Sequence, residues 1–61
     1  MFDFNIGEHV SFYDAYYNRW IRGKIIEILI NLTPDSPYYM IKHNKNGMIS
    51  WICNDKLRRI I

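Results

Sequence analysis

Apolar and polar residues alternate along most of this chain with a period of two, in short blocks separated by turn-forming residues, and that pattern predicts strands. After Gly7, the run His9-Val10-Ser11-Phe12-Tyr13 predicts a first strand with Val10 and Phe12 on one face and Ser11 and Tyr13 on the other. From Trp20 to Ile30 the composition is strongly β-branched, yet no single parity collects the apolar residues: Ile25 pairs with Leu29, while Ile26, Ile28 and Ile30 share the opposite face. A long strand that changes its inward face midway needs a bulge or bend, and Gly23 is the expected place for it. Lys24 to Ile30 is long enough for two helical turns, but its β-branched content and the lack of a cap favour a strand.

Asn31 to Pro37 carries Pro34, Asp35, Ser36 and Pro37 in a row and reads as a connection that cannot continue a strand. Tyr38 to Lys42 then predicts a third strand. His43-Asn44-Lys45-Asn46-Gly47 ends in Asn-Gly, the signal of a tight hairpin, and Met48 to Cys53 returns as a fourth strand. Asn54-Asp55-Lys56 predicts a single helical turn, and Leu57 to Ile61 a short closing strand. These elements describe an all-β domain over residues 1–61: a small five-stranded SH3-like barrel with a one-turn 3-10 helix before the last strand. Closure removes edges that so apolar a chain tolerates badly.

Size sharpens the demand on the core. With 61 residues, the chain buries only about 60% of its unfolded surface. Large side chains must compensate, and the composition, 49% hydrophobic and 16% aromatic, supplies them. Trp20, at the start of the bent strand, is expected to plug one end of the barrel. At position 51 or 52 one of Trp51 and Ile52 faces inward and the other outward. The single Cys53 forms no internal bridge and no Cys/His cluster has zinc spacing, so no metal or cofactor is implied and a reducing intracellular compartment, cytoplasmic or nuclear, fits best. The longest apolar stretch, Ile25 to Leu32, is interrupted by Glu27 and Asn31 and falls far short of the roughly 20 residues of a membrane span. Met1-Phe2-Asp3-Phe4 does not resemble a secretory leader.

Five of the nine residues from Phe12 to Trp20 are aromatic, and they surround the first interstrand connection. Connections usually carry polar residues over the surface, so rings here either cover the core or meet a partner. Tyr13, Tyr16 and Tyr17 are the leading binding candidates, because tyrosine gives large amphipathic contact at low entropic cost. Asp14 beside them is placed to pair with a cationic ligand or with Arg19. His9 and His43 have no nucleophile or acidic partner at catalytic spacing, the carboxylates are scattered, and no Gly-rich phosphate loop is present. Enzymatic activity is therefore not expected. The net charge of +2 permits a nucleic-acid partner, and Arg22, Lys24, Arg58 and Arg59 would form one positive stripe if the second and last strands lie side by side.

The spacing Gly7-x-x-Val10-x-Phe12, Trp20-x-x-Gly23-Lys24-Ile25-x-x-Ile28, Tyr39-x-Ile41, Asn46-Gly47, Trp51 and Leu57-x-x-Ile60 covers nearly the whole chain and resembles the Tudor and chromo-barrel group of SH3-like domains. The resemblance implies non-catalytic recognition, in which an aromatic cage holds a methylated lysine or arginine against ring faces. Tyr13 falls where a cage aromatic or His is expected, and Trp51 where chromo barrels place a cage Trp. Ile21 and His43 replace cage rings, and the hairpin Asn44 to Gly47 adds none, so the implied cage is incomplete and Tyr16 or Tyr17 would have to complete it. A second resemblance, to the plasmid-borne type II dihydrofolate reductases, rests on Gly7, Val10, Trp20, Ile25, Asn31-Leu32-Thr33-Pro34, Tyr39 and Gly47. Ile49-Ser50-Trp51-Ile52 stands in place of that family's Val-Gln-Ile-Tyr strand, and Phe12 and Tyr13 in place of its strand-one Lys, so this resemblance implies architecture without the chemistry.

Three readings follow. The first is a protein or peptide partner held by Tyr13, Asp14, Tyr16, Tyr17, His43 and Trp51, with or without methylation. The second is nucleic acid on the basic stripe, and the third is a homo-oligomer whose shared mouth forms a site.

Overall fold

The computed structural model describes residues 4–29 and 37–60. Its elements are β1 (His9–Asp14), β2 (Arg19–Leu29), β3 (Tyr38–His43), β4 (Ile49–Cys53), a 3-10 turn (Asn54–Lys56) and β5 (Leu57–Arg59). All strand pairings are antiparallel, in the order β4-β3-β2-β1-β5. The architecture is the all-β, SH3-like barrel that the alternation predicts, with its 3-10 turn on the predicted residues. Among the described residues no helix is long and apolar enough to cross a membrane. The predicted connection from Asn31 lies outside the described residues up to Pro37, as do Ile30 and Ile61.

Strand β2 spans eleven residues and pairs with β1 through its first half and with β3 from Gly23 onward. The register jumps from Ile25↔Ile41 to Glu27↔Met40, so the bulge sits at Ile26. Before it, Ile21, Gly23 and Ile25 face inward; after it, Ile28 packs on the core while Glu27 and Leu29 are exposed. The inferred change of face is therefore present, two to three residues beyond the expected Gly23. Gly23 has a different task. It pairs with both Val10 and His43, and a Cβ built there would lie 2.5 Å from Ile41 Cγ2 and 2.6 Å from the Lys42 carbonyl oxygen. Glycine is needed because the β3 backbone passes too close for a side chain.

The interior holds Phe4, Val10, Phe12, Ile21, Ile25, Tyr39, Ile41 and Leu57. Trp20 is not the predicted plug: it is 58% exposed, because Ile21 takes the inward position of that dipeptide. Phe4 supplies the interior ring instead, edge-on to Tyr39 at 5.5 Å. The Tyr39 hydroxyl donates to Asn54 Oδ1 at 3.0 Å, and the Asn54 N–H donates to the Pro37 carbonyl at 3.1 Å, which ties the 3-10 turn to the start of β3. Of Trp51 and Ile52, Ile52 is the residue packed on the core. The β3–β4 connection is a turn over Asn44 to Gly47 with Gly47 at φ +73°, and the Gly47 N–H donates to the His43 carbonyl at 3.0 Å.

Gly23→Ala is expected to destabilise the protein by about 2–3 kcal/mol through overpacking against backbone, read as a lower urea midpoint with an unchanged slope. A midpoint equal to the parent's would mean that β2 and β3 separate there at no cost.

Candidate functional site

The β1–β2 turn is shaped by two short polar side chains. Asp14 Oδ1 accepts hydrogen bonds from the N–H groups of Tyr16 (2.9 Å) and Tyr17 (3.2 Å), an Asx-type arrangement in which a carboxylate substitutes for backbone acceptors. Asn18 occupies the left-handed region at φ 56°, where asparagine is tolerated better than most residues, and its Oδ1 accepts from the Tyr13 hydroxyl. The turn thereby closes over four residues, 15–18, and turns its rings to solvent. Tyr16 is 87% exposed and stands edge-on to Tyr17 at 4.9 Å. The Asp14–Arg19 ion pair expected from the sequence is not formed; the Arg19 guanidinium lies over the Tyr17 ring at 5.2 Å, and the ion pair found among the described residues is Glu8–Arg59 at 2.7 Å.

Beside this turn, β1 and β4 leave a recess of about 550 Å³ between them. Tyr13, Asp14 and Tyr16 line it from the β1 side, and Tyr38, Trp51 and Cys53 from β3 and β4. Lys56 of the 3-10 turn closes one side. Phe12, which is buried, and Ile52, which is half-buried, also line it and make an apolar floor. Trp51 is 44% exposed, consistent with its outward parity opposite Met40. The volume lies in the range of ordinary ligand clefts, roughly 300–1,000 Å³.

Four of the six residues proposed from the sequence for ligand binding thus meet in one place: Tyr13, Asp14, Tyr16 and Trp51. The other two do not. Tyr17 is not among the residues that line this recess, and His43 follows Tyr39 and Ile41 on the inward face of β3, 7% exposed. There His43 Nε2 is hydrogen-bonded to Ser50 Oγ at 2.8 Å and its ring stands edge-on to Phe12 at 5.6 Å, so this polar side chain is satisfied inside the barrel. Tyr38 was missed by sequence reasoning although a signal existed: of the adjacent pair Tyr38-Tyr39 on a strand, one ring must face out. Cys53 and Lys56 carried no such signal.

The basic stripe takes another form than the one drawn from the sequence. Strands β2 and β5 are not neighbours; β1 runs between them, with Ser11 opposite both Arg22 and Arg58. Lys24 lies one row further on, between His9 and Lys42. Arg59 is bonded to Glu8, and its guanidinium lies 4.7 Å from the Phe4 ring centre.

No protein-family model and no curated protein matches this chain. Its structure is similar to the extended Tudor domain of Drosophila melanogaster Papi, with a TM-score of 0.85 and 16% sequence identity. The likeness covers 100% of this chain and 31% of that one, so this chain spans under a third of the Papi chain's length. At this identity the likeness concerns the fold, which is Tudor-like, as the residue spacing implies.

Asp14→Ala removes the acceptor of two turn N–H groups. The expected result is a loss of about 1 kcal/mol in stability together with faster amide exchange at Tyr16 and Tyr17. Unchanged exchange at both amides would show that the turn holds itself without the carboxylate.

Proposed function

We propose that this chain is a non-catalytic recognition module that binds a segment of another protein in the recess between the β1–β2 turn and β4. The observation that carries this reading is the convergence of Tyr13, Tyr16, Tyr38 and Trp51 on one cleft, in a barrel whose interior is already filled by other residues. These rings are not needed for the core. Exposed aromatic side chains grouped around a concavity are the usual anchors of peptide interfaces.

The chemistry of the cleft favours a cationic side chain on the ligand. Ring faces attract a lysine or arginine head, by roughly 0.5–2 kcal/mol per contact, and Asp14 adds a carboxylate at the rim. The positions where the Tudor resemblance would place cage rings, Ile21 and His43, are inside this barrel, so the ligand head is met by the Tyr13, Tyr16 and Trp51 side instead. Methylation removes hydration from the cation and strengthens the contact; the incomplete enclosure makes the gain modest.

Titration of unmodified and methylated Lys- and Arg-containing peptides, followed by calorimetry, tests this. Tyr16→Ala and Trp51→Ala are each expected to weaken binding about 5- to 30-fold, or about 1–2 kcal/mol, while leaving the thermal midpoint within a few degrees of the parent. Peptide binding indifferent to both substitutions would sink the proposal.

A further inference from the structure

A second concavity lies on the other side of the β1–β2 hairpin and has different chemistry. It encloses about 460 Å³ between that hairpin and the β3–β4 turn, and Arg19, Arg22 and Lys45 line it around the indole of Trp20. Among the described residues that line it there is no carboxylate. Trp20 stands edge-on to Tyr13 at 5.6 Å and 74°, which supports its exposed ring on one side. The positive charge continues outward across the sheet, through Arg22 beside Ser11 and Arg58, then through Lys24 beside His9 and Lys42. Two of the carboxylates are engaged elsewhere: Glu8 is paired with Arg59, and Asp14 holds the turn and faces the other recess. The net charge is only +2, yet the charged side chains among the described residues that line this groove are all cations.

We propose that this groove binds single-stranded nucleic acid, with one base stacked on Trp20 and the flanking phosphates held by Arg19, Arg22 and Lys45. Three properties of the groove select this occupant. Its charge repels the ammonium or guanidinium ligand that suits the tyrosine recess, and attracts a polyanion. A lone phosphate would leave the indole unused, whereas a nucleotide brings a π face for the ring and an anion for the cations around it. A duplex keeps its base faces stacked inside and offers only phosphates, so Trp20 discriminates single strands from double. The two grooves share the β1–β2 hairpin but no ring, which lets protein and nucleic acid be held at once.

Fluorescence anisotropy with a short labelled oligothymidylate tests the proposal on the intact chain. Three phosphate contacts on a single strand give a slope of about −2 in log affinity against log salt, a loss of roughly 20-fold between about 50 and 200 mM. Trp20→Ala is expected to weaken binding about 10-fold, and Arg22→Glu with Lys45→Glu to abolish it. Trp51→Ala, on the other recess, should leave it unchanged, and circular dichroism melts establish that each variant is folded. Absence of binding, a flat salt response, equal affinity for a duplex, or indifference to both Trp20→Ala and the charge reversal overturns the assignment. So does preference for a phosphopeptide of the same charge. Failure of the peptide titrations above leaves this test unaffected, because the residues it reads are different.

Discussion

The bulge at Ile26 is the constraint on which the rest of the barrel depends. A small barrel has few strands, so its longest one must line the interior over its whole length while pairing with different neighbours at its two ends. In β2 the inward residues are Ile21, Gly23, Ile25 and then Ile28, a step of three where a regular strand would take two. Without the extra residue, Glu27 would point into the core and Ile28 into water. Burying an unpaired carboxylate costs several kcal/mol, and the whole stability of a domain this small is of that order. Gly23 serves the same closure from the other direction, by letting β3 approach β2 closely at a row where β2 is also paired with β1 on its other side.

The strands and the 3-10 turn were legible in the sequence because a period of two survives burial and the turn residues punctuate it. The bulge was legible as a necessity but not as a location. Ile25-Ile26 offers two equivalent isoleucines, and only the pairing with Ile41 and Met40 decides which one is extra. The same degeneracy hid the fate of Trp20. Trp20-Ile21 is apolar at both positions, so alternation alone does not say which faces in, and size is a poor guide when the inward site is opposite Phe12. Phe4 escaped notice because it precedes the first strand, where no periodicity operates.

The candidate sites were legible to a different degree. Ring density around the first connection was visible from composition, and Tyr13, Asp14, Tyr16 and Trp51 meet in one recess. His43 was drawn into that group by the resemblance to Tudor cages, but parity on β3 sends it inside to Ser50. The second groove could not be read in advance. It joins the first hairpin to the second, Trp20 to Lys45, and only the register of β2 against β3 brings those turns together.

That register also explains why one hairpin carries two chemistries. Tyr13 and Trp20 are cross-strand partners on the outer face and touch edge-on; Tyr13 lines the recess beside β4, and Trp20 lines the groove beside the β3–β4 turn. Residues of β1 and the turn beyond it feed the first, which is why it holds tyrosines and Asp14; residues of β2 feed the second, which is why it holds Arg19 and Arg22. Each ring of the pair stiffens the other without covering it, as aromatic pairs in T-shaped contact do at about 0.5–1.5 kcal/mol beyond burial. A single cross-strand contact thus supports a ring in each of the two concavities. The cost is about half of each ring left in water, apolar surface that the core does not use.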